Sequence, residues 1–96
     1  MTIEEQLVSL PVGELVTLIR HFHGKQSDSM VGNIFFFRDP IDKELMVNFD
    51  SNGTAVIFGV SDIKSVSMFN GTRIPNTMIR LNNPSDYKRE KILDKK

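Results

Sequence analysis

The chain contains no cysteine, which excludes a disulfide framework and any thiolate metal site and fits a reducing compartment. It has no apolar run near the ~20 residues that a membrane helix needs, and no basic stretch leading into an apolar one at its N-terminus. A soluble, cytoplasmic protein is the simplest expectation. No G-x-x-x-x-G-K-[ST] loop and no G-x-G-x-x-G occurs, so neither route to nucleotide binding has support. Internal repeats and low-complexity runs are also missing. What remains is ordinary globular material: 96 residues, 40% hydrophobic and 25% charged. That is one domain, able to bury roughly 60–65% of its unfolded surface without staples.

From Met30 to Phe69 short apolar segments alternate with strong turn signals: Asp39-Pro40, Asn52-Gly53 and Asn70-Gly71. Consecutive hairpins read this way. Met30–Arg38 is nearly continuous in apolar residues around Phe35-Phe36-Phe37, as expected of a strand covered on both faces or meeting another chain. Between Glu44 and Asp50 the pattern alternates, with Leu45, Val47 and Phe49 inward and Met46, Asn48 and Asp50 outward. Val56, Phe58 and Val60 share a face in the next segment, where Gly59 would permit a bulge. Ser61-Asp62-Ile63 reads as a tight turn before Lys64–Phe69, with Val66 and Met68 inward. A last strand is expected over Thr77–Leu81, then a break at Asn82-Asn83-Pro84.

The N-terminal segment reads as helical. Thr2-Ile3-Glu4-Glu5 matches a capping box, and Ile3, Leu7 and Leu10 recur at helical spacing before Pro11. Val12, Leu15, Val16, Ile19 and Phe22 then follow the i, i+3, i+4, i+7 template, so a second helix is expected up to about His23, with Gly24 as terminator. The richness of Leu15–Phe22 in β-branched residues supports a competing reading as a buried strand. Ser85 can cap a terminal helix from Asp86 to about Leu93.

Few side chains suggest chemistry. His21 and His23 would face one way on a strand but lie about 200° apart on a helix, where they cannot share a metal. Asp39, Asp42 and Glu44 gather three carboxylates around one turn, a wet position that favours turn formation over acid–base work. Ser61 and Asp62 have no histidine near in sequence to activate a nucleophile. Asn52 and Asn70 match N-x-[ST] but read as hairpin turns. No catalytic residue, metal or cofactor is implied.

Two binding candidates stand out. Residues 71–96 carry seven basic and three acidic side chains, whereas residues 1–70 carry five basic and nine acidic ones. Arg73, Arg80, Lys88, Arg89 and Lys91 could therefore meet an acidic partner or nucleic acid, although Tyr87 is the only aromatic there for base stacking. The second candidate is surplus apolar strand surface at Ile34, Phe35 and Phe37, suited to self-association.

The order helix, short strands and late Val60-Ser61-Asp62-Ile63 turn resembles Sm-like and SH3-like small barrels across roughly residues 14–69, provided Leu15–Phe22 is the first strand. The Sm family's RNA-binding signatures are not matched in the Met30–Asp50 hairpin or at Gly59–Asp62, so RNA binding does not carry over.

The resulting expectation is a single α+β domain over 1–96. An N-terminal helix or helix pair (3–23) packs on a bent antiparallel sheet of four or five strands (30–81), and a basic helix or tail follows (85–96). The alternative is a small Sm/SH3-like barrel with an N-terminal helix. Functionally, a non-enzymatic, self-associating binding or regulatory protein that occupies a protein partner's surface comes first. Its size and lack of motifs suit an accessory protein of a phage or other mobile element. Nucleic-acid binding through the basic segment, and sequestration of a small ligand by an oligomer, are the alternatives.

Overall fold

The computed structural model describes residues 2–21, 27–69, 74–82 and 92–94. Helix α1 spans Ile3–Val8. Its capping box is complete: the Glu5 amide donates to Thr2 Oγ1 at 3.1 Å, and the Thr2 amide donates to Glu5 Oε1 at 2.8 Å. Hydrogen bonding from Thr2 to the carboxyl, its backbone amide first and its side chain second, holds Glu5 below its ordinary value. A depressed carboxylate pKa contributes stability above the unfolded value and loses it as pH falls through the folded one. We expect the Glu5 carboxyl, followed by NMR, to titrate below its ordinary value and to move part of the way back up in a Thr2→Ala variant, which keeps the amide and loses the hydroxyl. Equal midpoints in the two proteins would contradict this cap.

Strands β1 (Leu15–Arg20), β2 (Asp28–Arg38), β3 (Leu45–Ser51), β4 (Thr54–Gly59), β5 (Ile63–Met68), β6 (Thr77–Leu81) and β7 (Ile92–Asp94) form one sheet, ordered β5-β6-β1-β2-β3-β4-β7. All pairings are antiparallel except β1 with β6. The α+β class holds, with more strands than the four or five expected. The turns at residues 39–42 and at Asn52-Gly53 fall where the sequence puts them. Asn52 and Gly53 have φ of 51° and 86° between the paired Ser51 and Thr54, as a two-residue hairpin of type I′ requires. Asn70-Gly71 lies outside the described residues.

The second helix does not form. Leu15–Arg20 is a strand with Val16 and Leu18 buried and Leu15, Thr17 and Ile19 on the opposite side. Gly13, at φ +79°, breaks any continuation from Pro11, and β1 finds ladder partners on both flanks. Pairing on two sides outweighs a helical stripe in a segment whose Val16, Thr17 and Ile19 are β-branched. Phe22 and His23, the end of the expected helix, lie outside the described residues. So do residues 83–91, most of the expected C-terminal helix, whereas Ile92–Asp94 is strand.

The register shows how the sheet bends. β2 pairs with β1 through Asp28–Asn33 and with β3 through Asn33–Arg38. Only Asn33 is shared, so β2 is a corner strand passing from one half-sheet to the other. Gly32 sits at the corner. A Cβ there would lie 2.5 Å from the Asp50 carbonyl oxygen and 2.8 Å from the Phe49 ring, so β3 can approach only because the side chain is absent.

The curl of the sheet follows from chain length. Strands β5 and β4 stand five steps apart, about 24 Å in a flat sheet, yet a single 3₁₀ turn, Val60–Asp62, joins them. Four Cα steps reach at most ~15 Å, so the sheet must curl. The principal extents, 34 × 33 × 32 Å, agree. Among the described residues no ladder joins β4 to β5, so the sheet is curled but open, and the alternative of a small barrel is not met. Inside the curl lie Val16, Leu18, Ile34, Val47, Phe49, Val56, Phe58, Ile63, Val66, Ile79 and Leu81, with Leu7 of α1 packed among them.

Candidate docking surface

Strand alternation assigns the phenylalanine triplet to two sides. Ile34 is fully buried and Phe36 packs against the core, whereas Phe35 and Phe37 point outward. Ile34 therefore cannot share a contact surface with Phe35 and Phe37 without opening the core, and it leaves the set of self-association candidates. Its place is taken by residues that unbroken apolarity could not single out. Leu15, Val31, Phe35 and Phe37 are 37%, 49%, 40% and 44% exposed. They share the outward side of β1 and β2, because Leu15 pairs with Asn33 and Thr17 with Val31. Gly13 adjoins the Phe35 ring, 3.6 Å from where its Cβ would stand. Leu15 was hidden by the helical reading, which placed it on the covered stripe. Read as a strand, its parity opposite Val16 and Leu18 would have revealed it.

The outward side of β3 and β4 is different. Met46 and Ala55 are buried there, although alternation predicts exposure for Met46. Met46 pairs with Phe37 on one flank, and Asn48 with Phe35 and Ile57 on its two flanks. Neighbours ~5 Å away across a ladder readily shield a smaller side chain. Among the described strand residues, the exposed large apolar side chains other than Met68 of β5 therefore lie on β1 and β2, whereas Val8, Val12, Ile41 and Ile74 are exposed singly off the strands.

The turn carboxylates bind local backbone groups and a neighbouring hydroxyl. Asp39 Oδ1 accepts the amides of Ile41 and Asp42, and Asp42 Oδ1 accepts that of Glu44. Glu44 Oε2 accepts both the amide and the hydroxyl of Ser61, tying the β2–β3 turn to the 3₁₀ turn. The Asp62 carboxylate accepts the Gly59 amide at 2.9 Å. Arg20 grips Asp28 with two bonds, Nε to Oδ1 at 3.2 Å and Nη2 to Oδ2 at 2.9 Å, at the last ladder pair before the β1–β2 connection. The exposed Arg38–Glu4 pair, at 2.7 Å, links β2 to α1 and contributes little by itself.

Of the basic candidates only Arg80 is described; it is half-buried on the outward side of β6. Arg73, Lys88, Arg89 and Lys91 lie outside the described residues, as does His23. Among the described residues no cluster of three or more metal-binding side chains occurs, and no helix is long and apolar enough to cross a membrane.

These features define a small compact domain: a curled, mostly antiparallel sheet and one short helix. No protein-family model, curated protein or solved structure matches it.

Proposed function

We propose that this chain is a non-enzymatic docking domain that acts by occupying a protein partner's surface through the outward side of β1 and β2. The observation that carries this reading is the grouping of Leu15, Val31, Phe35 and Phe37 there. From their exposures the open apolar area is roughly 300 Å², the size at which a patch on a small monomer becomes a functional candidate. Two large aromatic rings on a paired strand are rigid anchors, which bind at low cost in side-chain entropy.

The edges argue for a face rather than strand addition. Edge strand β5 carries a bulge between Ile63 and Ser65, with Lys64 exposed at it, and α1 packs against it. A bulge and a lysine on an edge oppose pairing with another strand. The β4 edge is already paired with β7 at Thr54–Val56.

A tagged chain expressed in its native host tests the reading. It should co-purify a protein in stoichiometric amount, either untagged chain or a different one, and the Phe35→Ser/Phe37→Ser double variant should lose that protein while keeping its circular dichroism spectrum. Equal recovery by both baits would place recognition elsewhere.

A further inference from the structure

We infer that the occupant of this surface is a second copy of the chain, joined across a two-fold axis that runs beside β2. The inference rests on the docking reading above and names its partner. Charge is the first argument. Every outward position of β1 and β2, Leu15 to Ile19 and Ser29 to Phe37 taken alternately, is uncharged. A partner chosen by charge would find nothing there to pair with. The chain has 12 basic and 12 acidic residues and a net charge of zero, so two copies approach without net repulsion, a condition that favours self-association.

Symmetry is the second argument. An isologous contact needs one patch that complements itself. Val31, Asn33, Phe35 and Phe37 form a single stripe along one strand, so a two-fold axis passing at Asn33 sets Val31 of each copy against Phe35 of the other and brings the two Asn33 positions together. Asn33 stands between them as a polar residue, its Nδ2 donating to the Gly13 carbonyl at 3.0 Å.

Area sets the strength. Stable dimers bury about 800 Å² per partner, and the apolar patch supplies roughly 300 Å² of that by the same exposure reckoning. The rest must come from a polar rim, so the dimer is weak and comes apart on dilution.

The absence of cysteine makes the test clean, because one introduced thiol is the only one present. Asn33→Cys places it within the stripe. Ile41→Cys places it at the tip of the β2–β3 turn, where Ile41 is almost fully exposed. Under mild copper–phenanthroline oxidation we expect Asn33→Cys to give a disulfide-linked dimer and Ile41→Cys to stay monomeric. Sedimentation equilibrium of the unaltered chain should show mass rising from monomer to dimer with concentration, and Phe37→Glu should abolish the rise without altering the circular dichroism spectrum. A chain that stays monomeric at all concentrations, with Asn33→Cys uncrosslinked, overturns the self-pairing. So does a dimer that crosslinks through Ile41→Cys alone. The dye 1-anilinonaphthalene-8-sulfonate separates the two readings. If a monomeric chain binds the dye and the Phe35→Ser/Phe37→Ser variant does not, the docking surface stands and only the second copy falls. If neither binds it, both readings fall.

Discussion

Replacing Gly32 by valine should remove much of the chain's stability. The Cβ alone would meet the Asp50 carbonyl oxygen at 2.5 Å and the Phe49 ring at 2.8 Å. Overpacking a core usually costs about 1–3 kcal/mol because side chains give way. Here the nearer obstacle is backbone, so relief requires the two half-sheets to separate at their shared strand. A loss above ~4 kcal/mol is the expectation, against a total of roughly 5–10 kcal/mol for a domain of this size. Gly32→Ala is the milder variant, with an expected loss of about 3 kcal/mol and a fall in Tm of at least ~12 °C. Trimming the ring in a Gly32→Ala/Phe49→Leu double variant should restore little, because the Asp50 carbonyl stays in place. A Gly32→Ala melting curve within a few degrees of the parent, or full rescue by Phe49→Leu, would show that β2 does not turn its corner at Gly32.

Asp62→Ala should cost about 3 kcal/mol in denaturant unfolding at neutral pH. Asp62 is only 4% exposed, and its Oδ2 accepts the amide of the buried Gly59 at 2.9 Å. Alanine would leave that amide buried without this acceptor, and hydrogen bonds to charged groups lie at the strong end of the range. The position matters because the Val60–Asp62 turn joins β4 to β5, which stand five places apart in the strand order. The backbone carbonyl of Asp62 also accepts the Asn82 amide at 2.9 Å, so the turn holds the end of β6 as well. Asp62→Asn keeps an acceptor without the charge and should lose only about 1 kcal/mol. An alanine variant within ~0.5 kcal/mol of the parent would mean that the carboxylate is dispensable to the turn between β4 and β5.

Local signals carried much of the architecture. Thr2 and Glu5 announce the helix start because a capping box is satisfied within four residues. Asn52-Gly53 announces a hairpin because few other pairs accept two positive φ angles. The alternation of Leu45, Val47 and Phe49 locates the inner face of β3. Leu15–Arg20 misled because six residues with apolar members at Leu15, Val16, Leu18 and Ile19 satisfy helical and strand periods alike. What decides it is the pairing with β2 and with β6, some 60 residues away in sequence, which no local pattern encodes. The docking surface suffered from the same limit. An unbroken run such as Ile34–Phe37 does not show which parity is buried until β1 and β3 are laid against it. The corner at Gly32 was equally hidden, since a lone glycine in a strand pattern does not reveal what approaches it.

The side-by-side phenylalanines of β2 offer the most direct test of the central claim, that this corner strand turns one side to the core and offers the other for recognition. The unfolding free energies of Phe35→Ser, Phe36→Ser and Phe37→Ser should be measured at a protein concentration low enough to keep every variant monomeric. The account predicts a loss of at least ~2 kcal/mol for Phe36→Ser and a loss smaller by about 1 kcal/mol or more for each of its two neighbours. Phe35→Ser and Phe37→Ser proving as costly as Phe36→Ser, or costlier, would contradict it.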